Sequence, residues 1–309
     1  GLTDRPNERS LHTRPMPRFG GIAMITVALA VTVASGAASA SAAEAVVLLC
    51  AGALALAVMG VVDDRQPVAV AARLAVHGAV SVLFVSLLAA EIAHRMPWSG
   101  WPAAVTLAVL ALALAWSINL YNFMDGSDGL AGAMALIGFG CFALASPAGT
   151  PLNLLAGAVA GAAAGFLLFN WPPARLFMGD GGSVPIGFLA AGSALAGWAE
   201  GYWPAWFGPV VFAPFVIDAS ATLALRTLRG EPLWRAHRQH AYQKLNLLGL
   251  GHAGSLRIYL ALMAACAVAA LIGRRLAGPG AMALAVSVVA LLVLGYGVVE
   301  VLWRRRPTA

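Results

Sequence analysis

Between Phe19 and Leu302 the sequence is divided, at polar or Gly/Pro-marked breaks, into ten apolar runs of about the length that crosses a bilayer. They cover residues 19–41, 44–62, 73–91, 101–120, 129–146, 152–169, 183–199, 203–225, 255–272 and 279–302. Such runs can only be helices: lipid cannot satisfy the open edge of a sheet, and the runs are too long and continuous for barrel strands. With 61% hydrophobic and 10% charged residues over 309 positions and a mean hydropathy of +0.83, the chain does not suit a water-soluble domain. The expected fold is all-α, a polytopic transmembrane bundle forming one integral domain over residues 1–309.

Ten crossings place both ends on one side, so the loops can be divided between two faces. One face carries Arg5, Arg9, Arg14, Arg18, Arg65, Arg73, Arg175, Arg226, Arg229, Arg235, Arg238, Lys244, Arg257, Arg304, Arg305 and Arg306. The other has only Arg95, Arg274 and Arg275. The positive-inside rule makes the first face cytoplasmic, and the net charge of +6 reflects that bias rather than nucleic-acid binding. Cys50, Cys141 and Cys266 all fall inside expected spans, far apart, and read as small apolar packing residues. A polar, basic segment precedes the first run, so no cleavable signal peptide is visible. The start at Gly1 fits either a processed chain or one lacking an earlier, eleventh span.

The polar residues gather in five segments on the basic face. In "DRPNERSLHTRPMPRFGG", residues 4–21, prolines and glycines favour an ordered loop, with a plain positive-inside anchor as the alternative. In "GVVDDRQPVAVAAR", residues 60–73, adjacent Asp63 and Asp64 repel one another unless a cation or substrate proton relieves them; a solvated helix end countered by Arg65 is the simpler account. The stretch "NLYNFMDGSDGLAG", residues 119–132, ends an apolar run with Asn119, Asn122, Asp125 and Asp128. The last three stand three apart and share a face if the helix continues. Oxygen ligands of this kind suit Mg²⁺, which keeps waters and binds through one or two carboxylates plus substrate phosphates, whereas capping by Asn and Asp is the structural alternative. In "NWPPARLFMGDGGSVPIG", residues 170–187, Asp180 sits in a Gly-rich turn whose backbone N–H groups would receive a phosphate, although no P-loop lysine or spacing is present. In residues 226–252, His237 and His240 would share a helix face with Lys244, flanked by Arg235 and Arg238, as a grip for a diphosphate or as an amphipathic helix on anionic lipid. Two histidines without cysteine do not make a zinc site. Asp218, with Thr222 and Arg226 at helical spacing, faces the bundle as a structural or a substrate-adjacent carboxylate.

Carboxylates, a hard cation and basic residues at one membrane surface describe phosphoryl transfer between a soluble and a lipid substrate. In order along nearly the whole chain, "DRPNERSLHTRPMPRFGGIA", "GVVDDR", "NLYNFMDGSDGLAG", "FNWPPARLFMGDGGS" and "HRQHAYQKL" resemble the motifs of the polyprenyl-phosphate N-acetylhexosamine-1-phosphate transferases, the superfamily of phospho-MurNAc-pentapeptide translocase. The resemblance implies transfer of a sugar-1-phosphate from a UDP-amino sugar to undecaprenyl phosphate with release of UMP, at the cytoplasmic face of a bacterial inner membrane. It implies Mg²⁺, with Mn²⁺ as a substitute, and by analogy a homodimer. Carried over by motif, Asp63 and Asp64 match the aspartate pair, with Asp63 ahead of Asp64 as the base or orienter of the lipid phosphate. Asn122 and Asp180 match metal-binding positions, with Asp180 also catalytic. Asp128 matches a nucleotide contact, with Asn119 and Asp125 in the same substrate-binding stretch. His237 and His240, with Arg235 and Arg238, match the loop that holds the diphosphate.

"HRQHAYQKL" stands where the translocase carries a triple histidine, which argues against a MurNAc-pentapeptide substrate and for the O-antigen initiating branch, whose sugars include N-acetylglucosamine and 6-deoxy amino sugars. Initiators of teichoic acid or enterobacterial common antigen synthesis are alternatives. A secondary transporter is the rival from another class, but transporters set coupling sites near the midplane, often within internal repeats, and none is evident here. "GAVAGAAAG", residues 157–165, is helix-packing surface under any reading, a non-catalytic scaffold included.

Overall fold

The computed structural model describes residues 3–4, 15–37, 44–96, 102–232, 237–276 and 278–306. Thirteen helices are found among them: α1 (Gly20–Ala34), α2 (Glu44–Arg65), α3 (Val70–Leu87), α4 (Ala89–Arg95), α5 (Ala103–Met124), α6 (Leu130–Ala145), α7 (Pro151–Asn170), α8 (Asp180–Ala199), α9 (Phe207–Val211), α10 (Ala213–Leu228), α11 (Ala241–Leu245), α12 (Gly251–Gly273) and α13 (Pro279–Arg305). A two-residue ribbon pairs β1 (Thr3–Asp4) with β2 (Met16–Pro17) antiparallel. The all-α polytopic expectation holds.

Each of the ten apolar runs falls on a helix or a helix pair. Among the described residues, seven segments are by themselves long and apolar enough to span: α2, α3, α5, α7, α8, the α11–α12 stretch and α13. α1 and α6 are apolar but shorter, at 15 and 16 residues. The run at 203–225 is broken at Phe212 into α9 and α10, because Pro204, Pro209 and Pro214 each withhold a backbone N–H. α10 carries the expected inward polar face of Asp218, Thr222 and Arg226, all buried. α11 and α12 are separated by an irregular turn at Asn246–Leu250, where Gly249 takes φ +99°.

α8 is the central helix, with 78% of its apolar window buried against 11% for α13. It packs on α2, α5 and α1, while α6 and α7 lie side by side. Small residues permit these approaches: a Cβ on Gly21 would stand 2.3 Å from the Gly182 Cα, so α1 and α8 touch backbone to backbone. At the far end from the charged loops, Trp203 stacks between Phe142 and Phe207, with ring centroids 5.0 and 5.1 Å away. Arg95 and Arg274 donate there to the carbonyls of Ala199 and Ala145. Cys141 and Cys266 are buried free thiols and Cys50 is half-buried, in keeping with a packing role.

Candidate active site

The carboxylates meet where the end of α2 reaches the start of α8. Asp63 closes the turn into α3, accepting the Val68 N–H at 2.6 Å and the Arg73 guanidinium at 2.7 Å. Asp64, one residue on, points the other way; its side chain is 1% exposed and accepts from Arg18 at 3.2 Å and from the Gly181 N–H at 3.1 Å. Asp180 opens α8 and is the most accessible of the three, 23% exposed, with Arg73 3.8 Å away. Its carboxyl lies within hydrogen-bonding reach of Asp63 and of the Asn122 amide. The junction depends on Gly60, where a Cβ would stand 2.3 Å from the Asp180 carbonyl oxygen, and on Gly179 at φ +73°.

Two carboxylates this close repel unless a proton or cation lies between them. The donors offered, Asp63, Asp180 and the Asn122 carbonyl, are all oxygen, the set a hard cation takes. Among the described residues no three His, Cys, Asp or Glu side chains form a closed metal cage. An oxygen set of this kind leaves room for water and phosphate ligands, as Mg²⁺ sites do.

Several expectations change here. The N–H groups opening α8 are not a free phosphate cradle: Gly181 donates to Asp64, and Gly182 and Ser183 donate to the Gly179 carbonyl at 3.0 Å each. Asn122, Asp125 and Asp128 do not share a helical face, because α5 ends at Met124 and the chain reverses through Gly126 and Gly129. Asn122 goes to Asp180, while Asp125 is half-buried near Tyr121 and Tyr242. Asp128 accepts the Ala174 N–H at 2.9 Å and lies 3.4 Å from His252 Nδ1, to which its own backbone N–H donates at 3.1 Å. Asn119 stands one turn deeper in α5, donating to the Ala115 carbonyl at 2.7 Å and neighbouring buried His77.

The histidine segment differs most. Described residues 237–240 are not helical, and the helix begins only at Ala241, so the shared face with Lys244 does not form. Asp218 is the reason: it caps this short helix, accepting the N–H groups of Ala241 at 2.7 Å and Tyr242 at 3.1 Å, along with the Tyr259 hydroxyl at 2.5 Å. Asp218 is thus a structural anchor. His240 is buried, with Nδ1 3.4 Å from Asp218, and its ring stacks on Tyr242. His237 is half-buried, its ring 5.0 Å from that of His240, and Arg238 is half-buried beside it. Arg235 lies outside the described residues. Lys244 is buried in an ion pair with Glu300 at 2.5 Å and is withdrawn from any diphosphate. The segment docks on the end of α5, where the Tyr242 hydroxyl donates to the Phe123 carbonyl at 3.1 Å, next to Asn122.

Arg18, Arg73 and His252 were missed as site residues. Arg18 and Arg73 counted only toward the charge bias, although each flanks the aspartate pair's own turn or the loop before it. His252 carries no local signal, since its partner Asp128 is 124 residues away.

Residues 45–197, from α2 into α8, match the Glycosyl transferase family 4 model, and this stretch holds the carboxylates. The chain is 26% identical over 268 residues to the probable undecaprenyl-phosphate N-acetylglucosaminyl 1-phosphate transferase of Bacillus subtilis, covering 84% of this chain and 74% of that protein. It is 34% identical over 212 residues to the decaprenyl-phosphate N-acetylglucosaminephosphotransferase of Mycolicibacterium smegmatis, covering 61% of this chain and 52% of the relative, so the match spans about half that protein's length. A shorter match, 40% over 112 residues, reaches the phospho-N-acetylmuramoyl-pentapeptide-transferase of the same species, over 29% of this chain and 30% of that one.

Proposed function

We propose that this protein transfers the sugar-1-phosphate of a UDP-activated N-acetylhexosamine, N-acetylglucosamine foremost, to undecaprenyl phosphate, and that it does so at the cytoplasmic face of a bacterial inner membrane. The observation that carries the proposal is the meeting of Asp63, Asp64, Asp180 and Asn122 at helix ends under two arginines, in a domain whose relatives bear the names of polyprenyl-phosphate sugar-phosphate transferases. In the reaction, an oxygen of the lipid phosphate forms a bond to the β-phosphorus of the UDP-sugar. The bond from that phosphorus to the bridging oxygen breaks, and UMP leaves with the electron pair. A phosphate monoester has its second pKa near 6, about one unit below neutral pH, so little proton abstraction is needed and positioning dominates.

Arg73 holds Asp63, and Arg18 with the Gly181 N–H holds Asp64, so both carboxylates are oriented before substrate arrives. Asp180 and Asn122 would hold Mg²⁺, or Mn²⁺ in its place, which when bound neutralises charge on the diphosphate. His237, beside the end of α5, would contact the donor diphosphate, and Asp128 the nucleotide. The form of "HRQHAYQKL" favours the start of a surface polysaccharide such as O-antigen as the product's use.

The test is transfer of radiolabelled sugar phosphate from a panel of UDP-N-acetyl sugars into undecaprenyl phosphate, with Mg²⁺ or EDTA. A lipid-linked product from UDP-N-acetylglucosamine that disappears with EDTA is expected. Product from a different sugar alone would correct the donor, and none from any sugar would refute the transferase reading.

A further inference from the structure

Away from the carboxylates, the charged end of α13 forms a site of its own. α13 is the least enclosed of the spanning segments, and Leu291, Leu294, Val298 and Val301 stand exposed on it, as side chains facing lipid do. Where the helix leaves its apolar run, Arg229, Glu300, Trp303, Arg304 and Arg306 line an open cavity of about 460 Å³. Glu300 Oε1 takes Arg229 at 2.5 Å and Arg304 at 3.2 Å, while Oε2 takes Lys244 at 2.5 Å. One carboxylate therefore serves three cations, and Arg306 adds a fourth, its guanidinium 3.2 Å from the centroid of the Trp303 ring. α13 packs chiefly on α12, α10 and α11, whereas the aspartates stand on α2 and α8.

An indole at the end of an apolar helix marks the head-group level of the bilayer. A cavity there that gathers arginines in excess over carboxylates suits a phosphate ester, which accepts charge-assisted hydrogen bonds from more than one guanidinium. We infer that this cavity binds the head-group phosphate of an anionic phospholipid, with the acyl chains lying along the exposed face of α13. The site is separate from the acceptor lipid's reaction centre and independent of the proposed activity.

Native mass spectrometry of the full chain in neutral detergent tests this, with phosphatidylglycerol, phosphatidylcholine or inorganic phosphate added. Phosphatidylglycerol is expected to be retained over phosphatidylcholine, and Arg229→Gln and Arg306→Gln each to lower that retention about fivefold, the worth of one basic residue near a charged membrane surface. Arg306 is exposed beyond the last helical residue, so its substitution leaves the fold intact even if Arg229→Gln loosens the Glu300 cluster. Equal retention of the two lipids, or unchanged retention in Arg306→Gln, would overturn the inference. Displacement of phosphatidylglycerol by millimolar inorganic phosphate would also overturn it, by making the site one for free anions.

Discussion

His237 and His240 carry the same ring three residues apart, in different surroundings. His240 is enclosed between Asp218, Tyr242 and Phe123, so His240→Ala removes packing and a partner for a buried carboxylate. It is expected to lower the thermal unfolding midpoint in detergent. His237→Ala should leave that midpoint in place and reduce kcat by about 10²-fold, the usual cost of losing one group that stabilises developing charge. Glu300→Gln strands the buried Lys244 ammonium, and breaking such a pair costs about 3–5 kcal/mol, readable as a lower unfolding midpoint. At this scale the acidic residues were legible in the sequence because a carboxylate or amide at the end of an apolar run needs a reason to be there. Arg18 and Arg73 were not, since a charge count treats every cation on the basic face alike. Only the fold shows that these two reach the aspartates.

Among elements, the approach of α2 to the start of α8 sets the spacing of Asp63, Asp64 and Asp180. Gly60→Ala would drive a methyl group into the Asp180 carbonyl, an overpacking that costs about 1–3 kcal/mol and displaces the carboxylate. Its transfer activity should fall well below that of Gly161→Ala in α7, where a Cβ meets nothing within 4 Å. Equal activity in the two variants would mean that the α2–α8 spacing does not govern the reaction. The apolar runs made most helices legible, and prolines account for the break at Phe212. The absence of a helix across residues 237–240 was not legible, because the capping carboxylate, Asp218, comes from another helix 23 residues earlier. The same holds for the Gly181 N–H of α8, whose acceptor Asp64 lies 117 residues away.

For the whole molecule, the basic residues Arg18, Arg65, Arg73 and Arg175 flank the helix ends that carry the carboxylate cluster, and the loop at Gly149 joins the opposite ends of α6 and α7. In a variant with Cys50, Cys141 and Cys266 replaced by Ala, a cysteine at Gly149 should react with a membrane-impermeant maleimide on intact cells. One at Arg175 should react only after permeabilisation; the reverse pattern would put the site on the outer face. The central claim, that this face performs phosphoryl transfer through Asp180, is tested most directly by UMP release in purified Asp180→Asn and the parent protein. Both would receive UDP-N-acetylglucosamine, undecaprenyl phosphate and Mg²⁺. The account predicts release by the parent only when both substrates and the metal are present, and a loss of at least about 10³-fold in the variant, since the substitution removes a charge from a preorganised phosphoryl-transfer site. A folded Asp180→Asn protein that releases UMP at the parental rate would contradict it.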